Sequence, residues 1–519
     1  MIDVISCSII GLLSSVYILY ATVFLSIAYY LCTSTHDKWR KLNVPYTKPL
    51  PLFGNSMNLV LAREHPMDFF TGLYNRFPDE KLCGFYQMTT PFLMIRDPKL
   101  INNIMVRDFS YFTDHGFDTD PSVNILANSL FMLNGDRWRT MRQKLSPGFT
   151  SGKLKDTHDQ IKECTDQLIN IVDDNLKVSD HFEIRELVGN FSTDVIGMSA
   201  FGLKLDTIRN GNLDFRKFGK KIFQSDFKQL FVQAMMLFCP KLVTILKLKQ
   251  FPDDAADFYG SMFRDVLEYR DRNNVIRNDV TQTLIQAKKD LVTNNDGDDS
   301  TSKNKWTEMD IVGNAILMFV AGAETVSITI CFCLYQLALN KDIQDKLREE
   351  IVTTNAKHGG QLNNDFLTNL HYMNMVLEEV SRMYSITMIL FRQATKNYEV
   401  PGQSLVIEKG QKIIIPAYCI HNDPKYYPNP GTFDPERFST EEKAKRLNGT
   451  YIPFGDGPRL CIGKRFAELE MKLVLSKILL KYEVLPCEKT EVPINIRGAG
   501  SIVNPKNGVW LSFKPIVAN

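Results

Sequence analysis

Charge is absent from residues 4–32, VISCSIIGLLSSVYILYATVFLSIAYYLC, and returns with Asp37 and then the cations Lys38, Arg40, Lys41 and Lys48. An uncharged run of that length predicts a helix able to cross ~30 Å of hydrocarbon. A cleaved secretory signal is the competing pattern, but its apolar stretch is about half as long and follows a basic segment. Here acidic Asp3 comes first. The cations behind the run set the rest of the chain on the cytosolic side, where the sequons at Asn190 and Asn448 stay unused. Pro45, Pro49 and Pro51 then interrupt VPYTKPLPLFGN (44–55), which predicts a stiff connector.

Beyond the connector, apolar residues recur every three to four positions over 157–176 and 188–202, the period of amphipathic helices. Short β-branched runs at 405–407 and 412–415, set between turn formers, predict strands. The proline-studded stretch 423–438 predicts little regular structure, and the polar, acidic 292–306 predicts an exposed mobile loop. No internal repeat is present. Residues 311–340, IVGNAILMFVAGAETVSITICFCLYQLALN, break the amphipathic pattern because they are apolar on every side. They amount to about 45 Å of helix, either a second membrane span or the buried axis of a large body. Glu324 at the centre favours the axis, since a carboxylate is costly in lipid. Glu324 and Thr325 then become polar groups set in an apolar interior.

Composition changes this picture little. The 519 residues are 44 % hydrophobic and 23 % charged, with 33 phenylalanines to line an apolar interior. A net charge of +2 gives no chain-wide attraction to nucleic acid, so no nucleic-acid partner is expected. The ten cysteines are scattered, with no CxxC pair and no Cys/His cluster of zinc spacing. Most therefore read as small buried hydrophobes in a reducing compartment.

Cys461 is different. It lies in FGDGPRLCIG (454–463), with glycines at 455, 457 and 463, Pro458 to stiffen the approach and Arg459 two residues before it. Such glycines let backbone come close to a flat object and aim N–H groups at sulfur. Ile462, Phe466, Leu469 and Leu473 follow at helical spacing, so a helix start also favours the thiolate. A tight turn around a buried free cysteine is the plainer alternative.

The motif F-x-x-G-x-R-x-C-x-G, carried by Phe454, Gly457, Arg459, Cys461 and Gly463, resembles the haem-binding loop of cytochromes P450. Four further segments follow that family's order: WRTMR with Trp138 and Arg142, AGAET (321–325), EVSR with Glu379 and Arg382, and DPERF (434–438). The hinge and the cysteine loop look most like insect-type microsomal members. The resemblance implies a mainly α fold with small β-sheets (α+β), a long buried central helix and an N-terminal transmembrane helix. It implies an anchor over 1–34, a basic, proline-rich hinge over 35–55 and a haem-binding catalytic domain over 56–519. Cys461 would be the axial thiolate of haem b, the ligand that favours O–O cleavage. Thr325 and Glu324 would relay protons on the opposite face, and Gly322 would let the helix pass close to the haem. Arg142, Arg392 and Arg459, with Trp138, would hold the propionates, while Glu379, Arg382 and Arg437 would form a buried ion network. One departure is Ser385, which stands where a proline is usual and would loosen the wall over 385–391.

No G-x-G-x-x-G follows a strand, and Leu460 stands where a third glycine would be. Electrons must then come from NADPH through a reductase, with cytochrome b5 a further candidate partner. Arg137, Arg139, Arg142, Lys144, Lys464 and Arg465 would offer it a basic face. The function implied is a monooxygenase of the endoplasmic-reticulum membrane, with its catalytic domain on the cytosolic side. It would act with O2 on lipophilic xenobiotics or endogenous lipids and hormones. A redox-neutral haem-thiolate isomerase or dehydratase is the alternative, against which the Glu324–Thr325 pair argues. Residues 109–131 and 201–239 are candidates for the pocket roof and read equally well as plain core.

Overall fold

The computed structural model describes residues 2–223 except 62, 118–119 and 212, then 232, 235, 243 and 245–249, and finally 252–293, 307–497 and 502–516. Most of 224–242 and all of 294–306 therefore lie outside the described residues, and with them part of the expected roof and nearly all of the expected polar loop.

In chain order the elements that position the site are α1 (Ile2–Thr33), β1 (Leu82–Gln87), β2 (Thr90–Ile95), α2 (Gly135–Leu145), α3 (Ser151–Leu176), β3 (His181–Glu183), α4 (Ile184–Phe201), α5 (Leu213–Phe223), α6 (Asp253–Arg272), α7 (Val280–Thr293), α8 (Glu308–Leu339), α9 (Lys341–Lys357), α10 (His371–Met383), β4 (Leu390–Gln393), β5 (Lys412–Ile415), α11 (Lys464–Lys481), β6 (Tyr482–Leu485) and β7 (Trp510–Pro515). The expected helices 157–176 and 188–202 fall within α3 and α4, and the strand run 412–415 is β5. One sheet has the order β1–β2–β5–β4, with β2 and β5 parallel and the other pairs antiparallel. Strands β3, β7 and β6 form a second, antiparallel sheet.

The two long apolar helices have opposite surroundings. The span Ser15–Thr33 in α1 is 0 % buried, whereas 78 % of the apolar stretch of α8 is buried inside the protein. Helix α8 is thus the axis of a core built from α3, α4, α10 and α11, as the central Glu324 suggests. Its first turn is closed reciprocally: Thr307 Oγ1 accepts from the Asp310 N–H at 3.3 Å, and Asp310 accepts from the Thr307 N–H at 2.6 Å. A second core cluster covers the four-stranded sheet. The connector belongs to that cluster. Trp39 is buried, its indole N–H donates to the Phe85 carbonyl at 3.2 Å, and a Cβ on Gly84 would sit 2.4 Å from its ring.

The ion network that the EVSR and DPERF segments imply is formed. Arg382 and Glu379 are both fully buried, and the guanidinium donates twice to the carboxylate, at 2.6 and 2.8 Å. Arg437 Nε lies 3.4 Å from Glu379 Oε1. Arg382 also donates to the carbonyls of His421 and Pro430, each at 2.8 Å, which ties the irregular stretch before the cysteine loop to α10. Removing one partner leaves an uncompensated buried charge. Arg382→Met is therefore expected to cost ~3–5 kcal/mol, read as a lower urea midpoint, while Arg139→Met on the exposed face of α2 leaves the midpoint near wild type.

Candidate active site

Residues 454–463 fold as a closed loop in which the Cys461 N–H donates to the Phe454 carbonyl at 3.0 Å. Gly457 has a φ of +66°, and a Cβ there would lie 1.9 Å from the Met105 carbonyl oxygen, so no other residue fits. Asp456 caps the short turn Gly457–Arg459 by accepting from the Gly457 N–H at 2.7 Å. Helix α11 starts at Lys464, and the N–H groups of Gly463 and Lys464 are aimed at the Cys461 sulfur. Cys461 is the one exposed cysteine among the described residues, whereas Cys83, Cys164, Cys331, Cys333 and Cys419 are buried and free.

Burial nevertheless raises the Cys461 thiol above its ordinary value, although the two N–H groups, Arg142 and Lys464 pull the other way. The loop and helix start thus favour the thiolate, as expected, but are outweighed by burial. The sulfur loses its proton when a metal ion competes for it. Among the described residues no cluster of three or more His, Cys, Asp or Glu could hold a metal.

Four cationic or imidazole groups converge beside the loop. The buried Arg459 donates to the carbonyls of Thr113, Leu130 and Leu133 at 2.9, 3.3 and 2.8 Å. Its guanidinium lies 4.1 Å from the Trp138 ring, which packs on Phe109 at 5.6 Å. Arg392 is buried on β4, donates only to its neighbour's carbonyl, Phe391, and leaves Nε with no partner. Burial lowers Arg459 to about 9 and Arg392 to about 10; Arg392 and Arg142 also repel the Arg459 charge, against Asp114. Arg142 is half-buried within reach of Cys461. His115, which sequence reasoning passes over, is near enough to Arg459 and Arg392 for both charges to act on its imidazole. These guanidiniums have no carboxylate at hydrogen-bond distance among the described residues and lie beside an accessible thiol, so they have donors to spare for an anionic group.

On α8 both central polar groups are committed within the chain. Thr325 Oγ1 donates back to the Ala321 carbonyl at 2.7 Å. Glu324 is paired with Arg185 of α4 at 2.5 Å and with Arg216 of α5. Burial alone would raise the Glu324 carboxyl; the two guanidiniums more than reverse it, so the group stays ionised. Arg216 reaches it across Gly189, where a Cβ would lie 2.2 Å from its guanidinium. Glu324 also lines a cavity of about 200 Å³ bounded by Glu186, Lys220, Asn504 and Lys506. The space that Gly322 leaves is taken by Ile196, which a Cβ would meet at 2.8 Å.

The expected basic face is only partly free. Arg137 is held by the buried Asp310 at 2.5 Å, while Arg139 stays exposed, 3.3 Å from Asp136. Ser385 gains a partner instead of loosening the wall. It is buried and bonds to His421 Nδ1, whose Nε2 accepts from the Ile452 N–H at 2.9 Å. Since an N–H must donate to Nε2, the proton of the imidazole sits on Nδ1 and points to Ser385.

A mainly helical fold around a buried axis, with one accessible cysteine in a glycine loop beside a guanidinium cradle, defines a haem-thiolate protein. The cytochrome P450 family model matches residues 44–513, and the chain belongs to that family. Among its relatives are cytochrome P450 6a2 of Drosophila melanogaster, 36 % identical over 95 % of this chain and 98 % of the relative. Cytochrome P450 9e2 of Blattella germanica is 35 % identical over 94 % and 96 %. Cytochrome P450 6B2 of Helicoverpa armigera is 35 % identical over 95 % and 97 %. The insect-type resemblance is thereby borne out, and the protein is an oxidoreductase of the monooxygenase class. The family implies haem ligated by a cysteine thiolate, and the orphaned Nε of Arg392 and the accessible Cys461 fit that group.

The His421 link generates a pH dependence. Burial, then Arg382 and Arg446, lowers its imidazole to about 3. The unfolded chain takes up this proton below ~6.5 and the native protein does not. Stability from this group is complete above ~6.5 and falls by about 1.4 kcal/mol per pH unit below it. Urea unfolding at pH 7.5 and at pH 5.5 is expected to show a total loss of stability smaller by about 1.4 kcal/mol in His421→Gln, whose amide keeps both hydrogen bonds.

Proposed function

We propose that the protein is a membrane-anchored monooxygenase that inserts one atom of O2 into small lipophilic substrates, with electrons from NADPH delivered by a separate reductase and, as a second donor, cytochrome b5. The reading rests above all on Cys461, an accessible thiol at a helix start beside uncompensated guanidiniums. Haem bound through that sulfur supplies the activation of oxygen.

The chain's own residues hold and orient. Arg142, Arg392 and Arg459, with Trp138 under Arg459, pair with the haem carboxylates, a task suited to the planar fork of arginine. Gly463 and Lys464 share the charge of the sulfur through their N–H groups. Thr325 gives its own proton to Ala321, so its lone pairs are left to accept from a water and hold it at the apolar face. Glu324, ionised beside the cavity that reaches Lys220 and Asn504, exchanges protons with water on that side. It reaches the Thr325 water when one guanidinium lets go. The lack of a dinucleotide-binding motif supports an external electron source. The bare apolar face of α1 and the cations Lys38, Arg40 and Lys41 support an endoplasmic-reticulum anchor over 1–34, a hinge over 35–55 and a cytosolic body over 56–519.

Cys461→Ser is expected to abolish both turnover and the thiolate band of the reduced, carbon-monoxide-bound protein, while Cys83→Ser keeps both. A Cys461→Ser protein that retained the band would end the reading. For the electron source, Arg139→Glu should lower reductase-supported turnover severalfold and flatten its salt dependence, with peroxide-driven turnover unchanged. Unaltered salt dependence would mean that the reductase docks elsewhere.

A further inference from the structure

The segment 113–117 threads between β4 and the cysteine loop. Thr113 gives its carbonyl to Arg459 at 2.9 Å, and the Asp114 carbonyl accepts from the Gln393 N–H at 2.7 Å, one residue from Arg392. Gly116 passes so close to Gln393 that a Cβ would sit 3.0 Å from its side chain. Phe117 stacks near Phe391 at 5.1 Å. These contacts hold His115 in a segment bonded to Arg459 on one side and to the residue next to Arg392 on the other, and both guanidinium charges act on its ring. Its Nδ1 is 2.8 Å from the Phe131 carbonyl, and a carbonyl only accepts, so Nδ1 carries the proton of the neutral ring. Nε2 is then a bare lone pair with no hydrogen-bond partner among the described residues.

A bare lone pair cannot bond to a carboxylate, because both only accept. The charges around the ring decide when it can gain a proton. Arg392 of β4 and Arg459 of the cysteine loop act on the ring itself; behind them Asp456 acts on Arg392, and Arg142 of α2 and Asp114 act on Arg459. Asp114 is already engaged by the Gly135 N–H at 2.7 Å and the Thr113 hydroxyl at 3.0 Å. Three guanidiniums against two carboxylates leave the surroundings positive, and burial together with Arg459 and Arg392 holds the imidazole well below its ordinary value. A ligand with two carboxylates reverses that balance.

We propose that His115 is a proton-linked member of the haem cradle: when the haem carboxylates enter, Nε2 takes up one proton from solvent and pairs with a carboxylate oxygen, so that haem retention at this end strengthens as pH falls. The proposal rests on the haem reading of Cys461 and the arginines. It differs from that reading in making one contact conditional on pH, where arginine contacts are not.

The test follows haem transfer from the purified holoprotein to excess apomyoglobin between pH 8 and pH 6, for wild type, His115→Asn, His115→Arg and Arg392→Met. Ligation of Cys461 releases a proton and has its own pH dependence, so the informative quantity is the ratio of variant to wild-type loss rates. For His115→Asn the ratio is expected to be near one at pH 8 and to rise severalfold by pH 6. For His115→Arg, a permanent cation, haem loss should be as slow as in wild type at pH 6 and slower at pH 8. A His115→Asn ratio that does not change with pH overturns the proposal. So does a His115→Arg protein that loses haem as fast as His115→Asn at pH 6, since the role is then one of shape. Either result with fast haem loss from Arg392→Met leaves the haem reading standing. Unchanged loss in all three variants removes the cradle itself.

Discussion

The two-fold hydrogen bond between Arg382 and Glu379 is the constraint on which the position of Cys461 depends. Neither charge meets water, so each persists only because the other is there. The remaining donors of Arg382 take up the carbonyls of His421 and Pro430. His421 in turn receives the Ile452 N–H, Ile452 receives the Gly455 N–H at 3.0 Å, and Phe454 receives the Cys461 N–H. A run of hydrogen bonds thus leads from a helix of the core to a loop that has no regular ladder of its own. Long irregular stretches over-determined in this way can hold a side chain to tenths of an ångström, as a metal ligand needs.

Buried charges in the molecule fall into two kinds. Glu324 with Arg185 and Arg216, Glu379 with Arg382, and Arg270 with Asp279 at 2.8 Å are sets in which each guanidinium meets a buried carboxylate of the chain, although Arg216 still leaves two nitrogens without a partner. Arg142, Arg392 and Arg459 form an open set whose countercharge the chain does not fully provide. Leaving a guanidinium buried with an unbonded nitrogen is unfavourable by more than a typical hydrogen bond returns. Such a set, lacking a carboxylate partner at hydrogen-bond distance among the described residues, has donors to spare for an anionic occupant from outside. The raised thiol of Cys461 belongs to the same logic, because it too waits for a positive partner.

The elements were largely legible along the chain, since each rests on local pattern. The uncharged runs, the helical periods and the glycine loop depend on neighbours a few residues apart. The site was legible where its chemistry is local, as at Cys461 with Gly457 and Arg459, or Glu379 with Arg382. It was not legible where the partner is distant. Arg185 lies 139 positions from Glu324, and Arg216 lies 108 away, so nothing nearby marks either as its clamp. Arg137 reads as one more exposed cation until Asp310, 173 positions on, is seen to hold it. His115 has no motif at all; only the folded proximity of β4 and the cysteine loop gives it a role. Ser385 reads as a lost proline, because its bond to His421 spans two segments that are separate in sequence.

The docking of Trp39 against Gly84 has a mechanical consequence. The apolar helix ends at Thr33, and His36 already touches the Met88 carbonyl at 3.2 Å. Fewer than ten residues separate the helix from a buried tryptophan, and part of that distance is itself fastened to the β1–β2 turn. With α1 in a bilayer, this joint is a bracket, not a tether. The body keeps one face toward the lipid and turns only as the helix turns. Partners confined to the same membrane then meet it with most orientations already excluded, which narrows their search from three dimensions to a rotation in the plane.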